Sequence, residues 1–340
     1  MVNASERGGM QADLVLEGGG VKGIGLVGAY SVLKEAGYEF HRIAGSSAGA
    51  IVGSLIASNM QVDDLQKLMH AVDYGKFEDM GFLDHLGLAG KAASILFEKG
   101  IYEGEYFRNW IDAVLADLGV KTFRDLKLEA DPGSDLPADR QYRLVVMASD
   151  ISRGRLARLP WDYQGEYARA PDQVPVSEAI RASMSIPFFY EPVRMQAKGK
   201  RGKANASWLV DGGMLSNFPV DVFDRTDAKP PRWPTFGIKL SAKPESAQQL
   251  KFEIGGTLDF AKALIGTMTS FHDQMHIADP GVIARTIFVD TTGVKATDFD
   301  LSEDTQQQLF ENGREAATKF LSTWDFEAYK EIHRKPGGNA

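Results

Sequence analysis

The sequence has no cysteine among its 340 residues. This absence excludes disulfide bonds, thiolate metal sites and a cysteine nucleophile, and it suits a reducing compartment. No apolar run approaches the roughly 18 residues that a membrane-spanning helix needs. The first residues, Met1–Arg7, also lack the apolar core of a signal peptide. We therefore expect a cytoplasmic protein.

Excess positive charge is absent as well. The formal net charge of −8 argues against binding to nucleic acid and against strong attraction to anionic bilayers. We expect any contact with a membrane surface to be transient and peripheral. With 44% hydrophobic and 25% charged residues, the composition is that of an ordinary globular protein. No repeat or linker divides the chain, so we expect one domain over residues 13–325, flanked by polar tails at 1–12 and 326–340.

Hydrophobic patterning predicts an alternation of strands and helices. Asp13–Glu17 and His41–Ala44 are typical of buried strands, and Ile24–Ala36 and Ala50–Ala57 of helices. This βαβα opening indicates an α/β protein whose first crossover is right-handed and parallel. The same patterning predicts further strands at 143–150, 236–240 and 285–289, a hairpin at 190–211, and helices at 63–72, 105–118, 177–184, 257–276 and from Ser302 onward.

The stretch Gly45–Gly49 has the spacing G-x-S-x-G, with Ser47 at its centre. In a nucleophile elbow, a serine lies on a sharp turn between a strand and a helix, with its hydroxyl exposed. The positions two residues away must be small because the strained turn brings them close together, and here they are Gly45 and Gly49. The helix that follows would direct its first N–H groups toward Ser47, which favours negative charge there. Ser47 is therefore the candidate nucleophile.

A second glycine motif, Gly18-x-Gly20-x-x-Gly23, stands between the first strand and the first helix. It matches the dinucleotide fingerprint, so a nucleotide-binding oxidoreductase is one alternative. That alternative lacks the acidic residue expected at the end of the second strand, where the sequence has the elbow instead. Backbone N–H groups of such a turn, from Gly18, Gly19 and Gly20, can instead hold an oxyanion.

A third turn, Asp211-Gly212-Gly213, ends the strand of the predicted hairpin. Asp-Gly is common in ordinary hairpin turns. A serine hydroxyl needs a base within hydrogen-bond reach, however, and no histidine stands in a comparable glycine-punctuated turn. We therefore predict a Ser47–Asp211 dyad. Its carboxylate is a weak base, with a reference pKa of about 3.9, so a dry pocket must strengthen it.

Metal chemistry has little support in the sequence. His272 and His276 are spaced i, i+4 but lack the glutamate of an HExxH site. We expect neither a metal nor a cofactor.

Together these segments resemble the patatin-like phospholipase family. The resemblance rests on four blocks in matching order and spacing over about residues 13–221: Glu17–Gly23, Gly45–Gly49, Ala182–Pro192 and Asp211–Gly213. Glu17 stands where the family often has aspartate, and Lys22 where arginine is common. Lysine cannot make the bidentate contact with phosphate or carboxylate that arginine makes.

The resemblance implies a three-layer α/β/α sandwich around a mainly parallel sheet. It also implies a Ser47 nucleophile, an Asp211 base, an oxyanion turn at Gly18–Gly20, and hydrolysis of acyl lipids such as phospholipids or lysophospholipids without a metal. The other alternative is a lipid-binding module without catalysis. Residues 242–281 carry no motif of the family, and nothing in the sequence indicates the oligomeric state.

Overall fold

A computed structural model describes most of the chain: residues 9–72, 104–197, 206–227, 229–241, 279–296 and 301–333, with single positions 255, 260, 263, 267 and 298. The hairpin tip and most of the helix predicted at 257–276 lie outside these residues, as does the pair His272 and His276.

The described strands form one mixed sheet with four parallel and three antiparallel pairings. The order is β5-β6-β3-β2-β1-β7-β8, and β4 pairs with β3 beside this path. Its parallel part consists of β1, β2, β3, β7 and β8. The strands are β1 (Met10–Leu16), β2 (Tyr38–Ser46), β3 (Leu144–Asp150), β4 (Arg155–Leu159), β5 (Val193–Gln196), β6 (Ala206–Asp211), β7 (Thr235–Lys239) and β8 (Thr286–Phe288).

Helices lie on both sides of this sheet, which gives the expected α/β/α layering. Strand β3 is buried along its whole length, as is typical of a strand covered on both faces. No helix within the described ranges is both long and apolar enough to cross a bilayer. The helices are α1 (Ile24–Glu35), α2 (Ala48–Ala57), α3 (Val62–Ala71), α4 (Glu105–Asp117), α5 (Tyr163–Glu166), α6 (Val176–Ser183), α7 (Pro280–Ala284), α8 (Glu303–Leu321) and α9 (Phe326–His333).

Most of these elements occur where the sequence predicts them, but both β1 and β2 begin three residues earlier than expected, and some elements are additional. Strand β1 begins at Met10 rather than Asp13, because Met10–Ala12 pair with Tyr38–Phe40 of β2. Strand β4, which sequence patterning does not predict, carries arginines at both 155 and 158 and gains its partners from β3. Residues 326–333, expected in a polar tail, form α9, because Tyr329 is buried against Trp324 with ring centroids 5.4 Å apart.

Helices α1 and α8 pack so closely that their backbones touch. A Cβ atom added at Gly28 of α1 would overlap the carbonyl oxygen of Phe310, and one added at Gly313 of α8 would overlap that of Gly25. Glycine at these positions therefore sets the distance between the two helices. This contact holds α8 over the β1–α1–β2 unit that carries two of the candidate turns.

We predict that Gly28→Ala destabilises the protein by about 1–3 kcal/mol, since the added methyl group forces the two helices apart. Urea unfolding measures this change. Gly165→Ala, a helical position with open space around its Cβ, is the matched control and is expected to be neutral or slightly stabilising. Equal stability of Gly28→Ala and the parent would contradict the backbone contact.

Candidate active site

The sheet brings the ends of two strands together at one point. Strand β2 runs parallel to β3 and ends with Ser46 opposite Met147, whereas β6 runs antiparallel and ends with Asp211 opposite Ala148. Strand β4 pairs with residues 146–150 of β3, a stretch that overlaps both the residues paired with β2 (144–147) and those paired with β6 (148–150). Strand β4 therefore occupies one edge of β3, and β2 and β6 share the other edge and run toward each other. Ser47, which follows β2 directly, is therefore close to Asp211 although 163 positions of sequence separate them.

Ser47 has the backbone conformation of a nucleophile elbow. Its φ of 50° and ψ of −124° are rare for a residue with a side chain, and α2 begins at the next residue. A Cβ atom at Gly45 would overlap the carbonyl of Gly49, and one at Gly49 would overlap that of Leu16. The Ser47 N–H donates to Ser183 Oγ at 2.8 Å. Close packing and this hydrogen bond therefore hold the turn in its strained conformation.

Asp211 is held by main-chain contacts on both sides of its turn. Its Oδ1 accepts a hydrogen bond from the Gly213 N–H at 2.7 Å, and its own N–H donates to the carbonyl of Ser185 at 2.8 Å. A Cβ atom added at Gly212 would lie 2.6 Å from Ser46 Oγ, so this turn packs against the elbow. These contacts fix the carboxylate next to the serine.

The environment of Asp211 makes its carboxylate more basic. The residue is 8% exposed, and burial raises the pKa of its carboxyl to about 6, although the hydrogen bond from the Gly213 N–H and the nearby Ser47 hydroxyl lower it in part. The contact with Ser47 is loose. The Ser47 hydroxyl donates to Met184 Sδ at 3.4 Å, and Asp211 Oδ2 is buried with no hydrogen-bond partner among the described residues.

The first glycine turn lies against the elbow. A Cβ atom added at Gly18 would be 3.0 Å from that of Ser47. Of the three amides expected in the oxyanion hole, that of Gly18 is already engaged, because it donates to the carbonyl of Asn217 at 3.2 Å. Within the described part of the chain, the N–H groups of Gly19 and Gly20 have no acceptor. These two are therefore the amides available to an oxyanion.

Two charged residues, Glu17 and Lys22, connect this turn to neighbouring segments. The Glu17 carboxylate pairs with Lys239 and accepts the N–H of Leu240 at the end of β7. Both Glu17 and Lys239 are buried. Lys22 Nζ donates to Thr291 Oγ1 at 3.2 Å, and burial lowers the pKa of Lys22, an effect that Glu17 partly offsets. These side chains fix the turn to the end of β7 and to the loop that follows β8.

The remaining glycine of the first motif, Gly23, faces the start of α2. A Cβ atom there would be 3.4 Å from that of Ala48, an ordinary packing distance. Three residues that the sequence motifs did not single out also belong to the site: Ser183, Met184 and Asn217. The first two lie in a segment noted only for its resemblance, and Asn217 stands six positions after Asp211 in an otherwise unremarked turn.

The described histidines lie elsewhere. His41 Nε2 is 3.1 Å from Asp131 Oδ1, and His70 and His333 lie on α3 and α9. In the part of the chain that the structure describes, no group of three or more His, Asp or Glu side chains is arranged to hold a metal ion. The titratable side chain beside Ser47 is that of Asp211.

Comparison with known proteins identifies relatives of this site. The sequence model of the patatin-like phospholipase family matches residues 14–224. The chain is 37% identical to YqhO of Bacillus subtilis over 319 residues, which are 93% of this chain and 100% of that protein. It is 27% identical to the lysophospholipase nte1 of Aspergillus niger over 215 residues, which are 63% of this chain but 11% of that larger protein.

Among solved structures, VipD from Legionella pneumophila has a similar fold. The TM-score is 0.55 at 16% sequence identity, over 93% of this chain and 67% of that one. At this identity the similarity concerns the fold alone.

The raised pKa of Asp211 predicts a pH-dependent stability. The folded-state pKa of about 6 exceeds the ordinary value of 3.8, so the folded protein binds this proton more tightly than the unfolded chain does. The stability that it contributes is complete below about pH 4 and is lost as the pH rises through 6. We therefore compare the free energy of unfolding of Asp211→Asn with that of the parent. We expect this difference to be more favourable to the variant at pH 8 than at pH 4, by up to about 3 kcal/mol.

Urea unfolding of parent and variant at both pH values measures this difference. Asp172→Asn is a control of opposite sign, because a hydrogen bond from Tyr142 lowers the pKa of Asp172. Its destabilisation should be larger at pH 8 than at low pH. A difference between Asp211→Asn and the parent that does not change with pH would show that Asp211 is solvated.

Proposed function

The chain belongs to the patatin-like phospholipase family, and we propose on that basis that it is a lipid acyl hydrolase of the phospholipase A or lysophospholipase type. Ser47 is its nucleophile and Asp211 its base. The observation that carries this proposal is the buried Asp211 carboxylate beside a serine in a strained elbow. Its pKa is raised to about 6, and one of its oxygens has no hydrogen-bond partner among the described residues.

In the first half of the reaction, the Ser47 hydroxyl turns from Met184 to Asp211 Oδ2 and attacks the carbonyl carbon of the acyl ester. Asp211 takes the proton, and the Gly19 and Gly20 N–H groups stabilise the negative oxygen of the tetrahedral intermediate. When the intermediate collapses, the ester C–O bond breaks. The leaving alcohol then receives the proton from Asp211, which leaves an acyl group on Ser47.

In the second half, water attacks the acyl-serine while Asp211 accepts one of its protons. Collapse of the second tetrahedral intermediate releases the fatty acid, and the proton returns to the Ser47 oxygen. The base works best when its pKa is near the working pH. Burial brings the Asp211 carboxyl closer to neutrality than a solvated aspartate, while leaving it ionised at pH 7.

We expect a fluorophosphonate probe to label the parent and Ser46→Ala but not Ser47→Ala. Ser46 is a sharp control because it is the adjacent serine, and its Oγ instead donates to the Ser216 carbonyl at 2.8 Å. Hydrolysis of a panel of lysophospholipid, phospholipid and triglyceride should fall by about 10³-fold or more in Ser47→Ala and in Asp211→Asn. Labelling of Ser47→Ala at the parent's rate would place the nucleophile elsewhere. Lipid binding without turnover by the parent would favour the non-catalytic module.

We also expect kcat/KM to fall about tenfold per pH unit below an apparent pKa of about 6, because the base must be ionised in the free enzyme. Histidine titrates in the same range, so each of the six histidines is replaced by glutamine as a control. All six variants should keep this acid limb. Loss of the limb together with activity in one of them would replace the dyad by a histidine-dependent mechanism.

A further inference from the structure

The segment that follows Asp211 connects all three candidate turns. After the short 3-10 turn Gly212–Met214, the Ser216 carbonyl accepts a hydrogen bond from Ser46 Oγ in the elbow. The next residue, Asn217, makes two hydrogen bonds to a single glycine of the first turn. Its carbonyl accepts from the Gly18 N–H at 3.2 Å, and its side-chain Nδ2 donates to the Gly18 carbonyl at 3.0 Å.

The side-chain bond has a consequence for the neighbouring amide. The Gly18 carbonyl and the Gly19 N–H belong to one peptide unit, which is planar and trans, so the two groups point in opposite directions. A donor that holds the Gly18 oxygen on one side therefore directs the Gly19 hydrogen to the other. Gly19 is one of the two amides in this turn without an acceptor among the described residues.

The amide of Asn217 also fits its place closely. A Cβ atom added at Gly18 would overlap Asn217 Oδ1, and one at Gly213 would lie 2.8 Å from it. The side chain thus fills the narrow space between the oxyanion turn and the Asp211 turn. Glycine has no side chain to restrict rotation of its peptide units, so a turn of three glycines has little rigidity of its own.

We propose that Asn217 is a positioning residue that orients the Gly19 N–H as an oxyanion donor through the Gly18–Gly19 peptide plane. This inference rests on the proposed function. Asn217 acts on the donor and not on the substrate, so its loss should weaken the transition state more than ground-state binding.

The experiment compares the parent with Asn217→Leu, which is similar in size but has no donor, in hydrolysis of p-nitrophenyl butyrate. We expect kcat to fall about 10- to 100-fold while KM changes less than about threefold. An N–H that points away from the oxyanion weakens stabilisation of the transition state more than it weakens substrate binding. Gln141→Leu is the control, because Gln141 Nε2 also donates to a main-chain carbonyl, that of Leu136 at 3.2 Å, in the loop that precedes β3. It should keep the parent's kcat.

Asn217→Asp gives a readout that a purely structural role would not produce. Its ionised carboxylate repels the Gly18 carbonyl, whereas its protonated form can donate a hydrogen bond to it. The ratio of variant to parent kcat should therefore rise as the pH falls from 8 toward 5. This variant keeps the size of asparagine, so it also decides the question if Asn217→Leu does not fold.

Three results would overturn the inference. The first is an unchanged kcat in Asn217→Leu, and the second is a loss of kcat that matches only the loss of folded protein in thermal unfolding. The third is a ratio for Asn217→Asp that is independent of pH. In each case the parent remains an active esterase and the proposed function stands. A parent without esterase activity would instead overturn the proposed function, and this inference with it.

Discussion

The candidate site depends on two strands that meet end to end on one edge of β3. Strand β2 brings Ser47 to this point from one direction, and β6 brings Asp211 from the other. Since side chains alternate between the faces of a sheet, a shift of one residue in either register would turn the functional side chain away. The buried backbone pairing of β3 therefore sets the distance between Ser47 and Asp211. The glycines of the turns follow from the same constraint, because Cβ atoms at Gly20, Gly45, Gly49 and Gly212 would overlap neighbouring main-chain atoms.

Burial of the base has two opposed effects. It makes the Asp211 carboxylate a stronger proton acceptor, and it makes the folded protein less stable when that group is ionised. The strained conformation of Ser47 likewise adds free energy to the folded state. Contacts around the turns offset these effects, namely the Glu17–Lys239 ion pair, the Ser46–Ser216 hydrogen bond and the tight packing of α8 on α1. The proposed dyad needs such rigid surroundings, because it includes no third side chain to orient Asp211.

Much of the fold could be predicted from local patterns. Apolar runs and glycine punctuation gave the main strands and helices, since burial and backbone freedom leave direct marks in composition. The antiparallel strand β4 and the helix α9 could not be predicted, because each depends on tertiary contacts. Strand β4 pairs with β3, and α9 packs on α7, where a Cβ atom added at Gly281 would lie 3.5 Å from that of His333. Two motif residues also make contacts that the sequence motifs did not predict. Lys22 contacts Thr291, and the Gly18 amide is engaged by Asn217.

The sequence by itself determined the family, the α/β class and which residue types stand in the three glycine turns, since each turn carries a local and recognisable spacing. Only the tertiary structure decided how those turns are arranged, which amides remain available, and how strongly burial changes the pKa of Asp211. It also brought Asn217 into the site, although no local pattern distinguishes this residue. Such properties arise from contacts between segments about 200 positions apart, such as Gly18 and Asn217. Spacing along the chain contains no information about those distances.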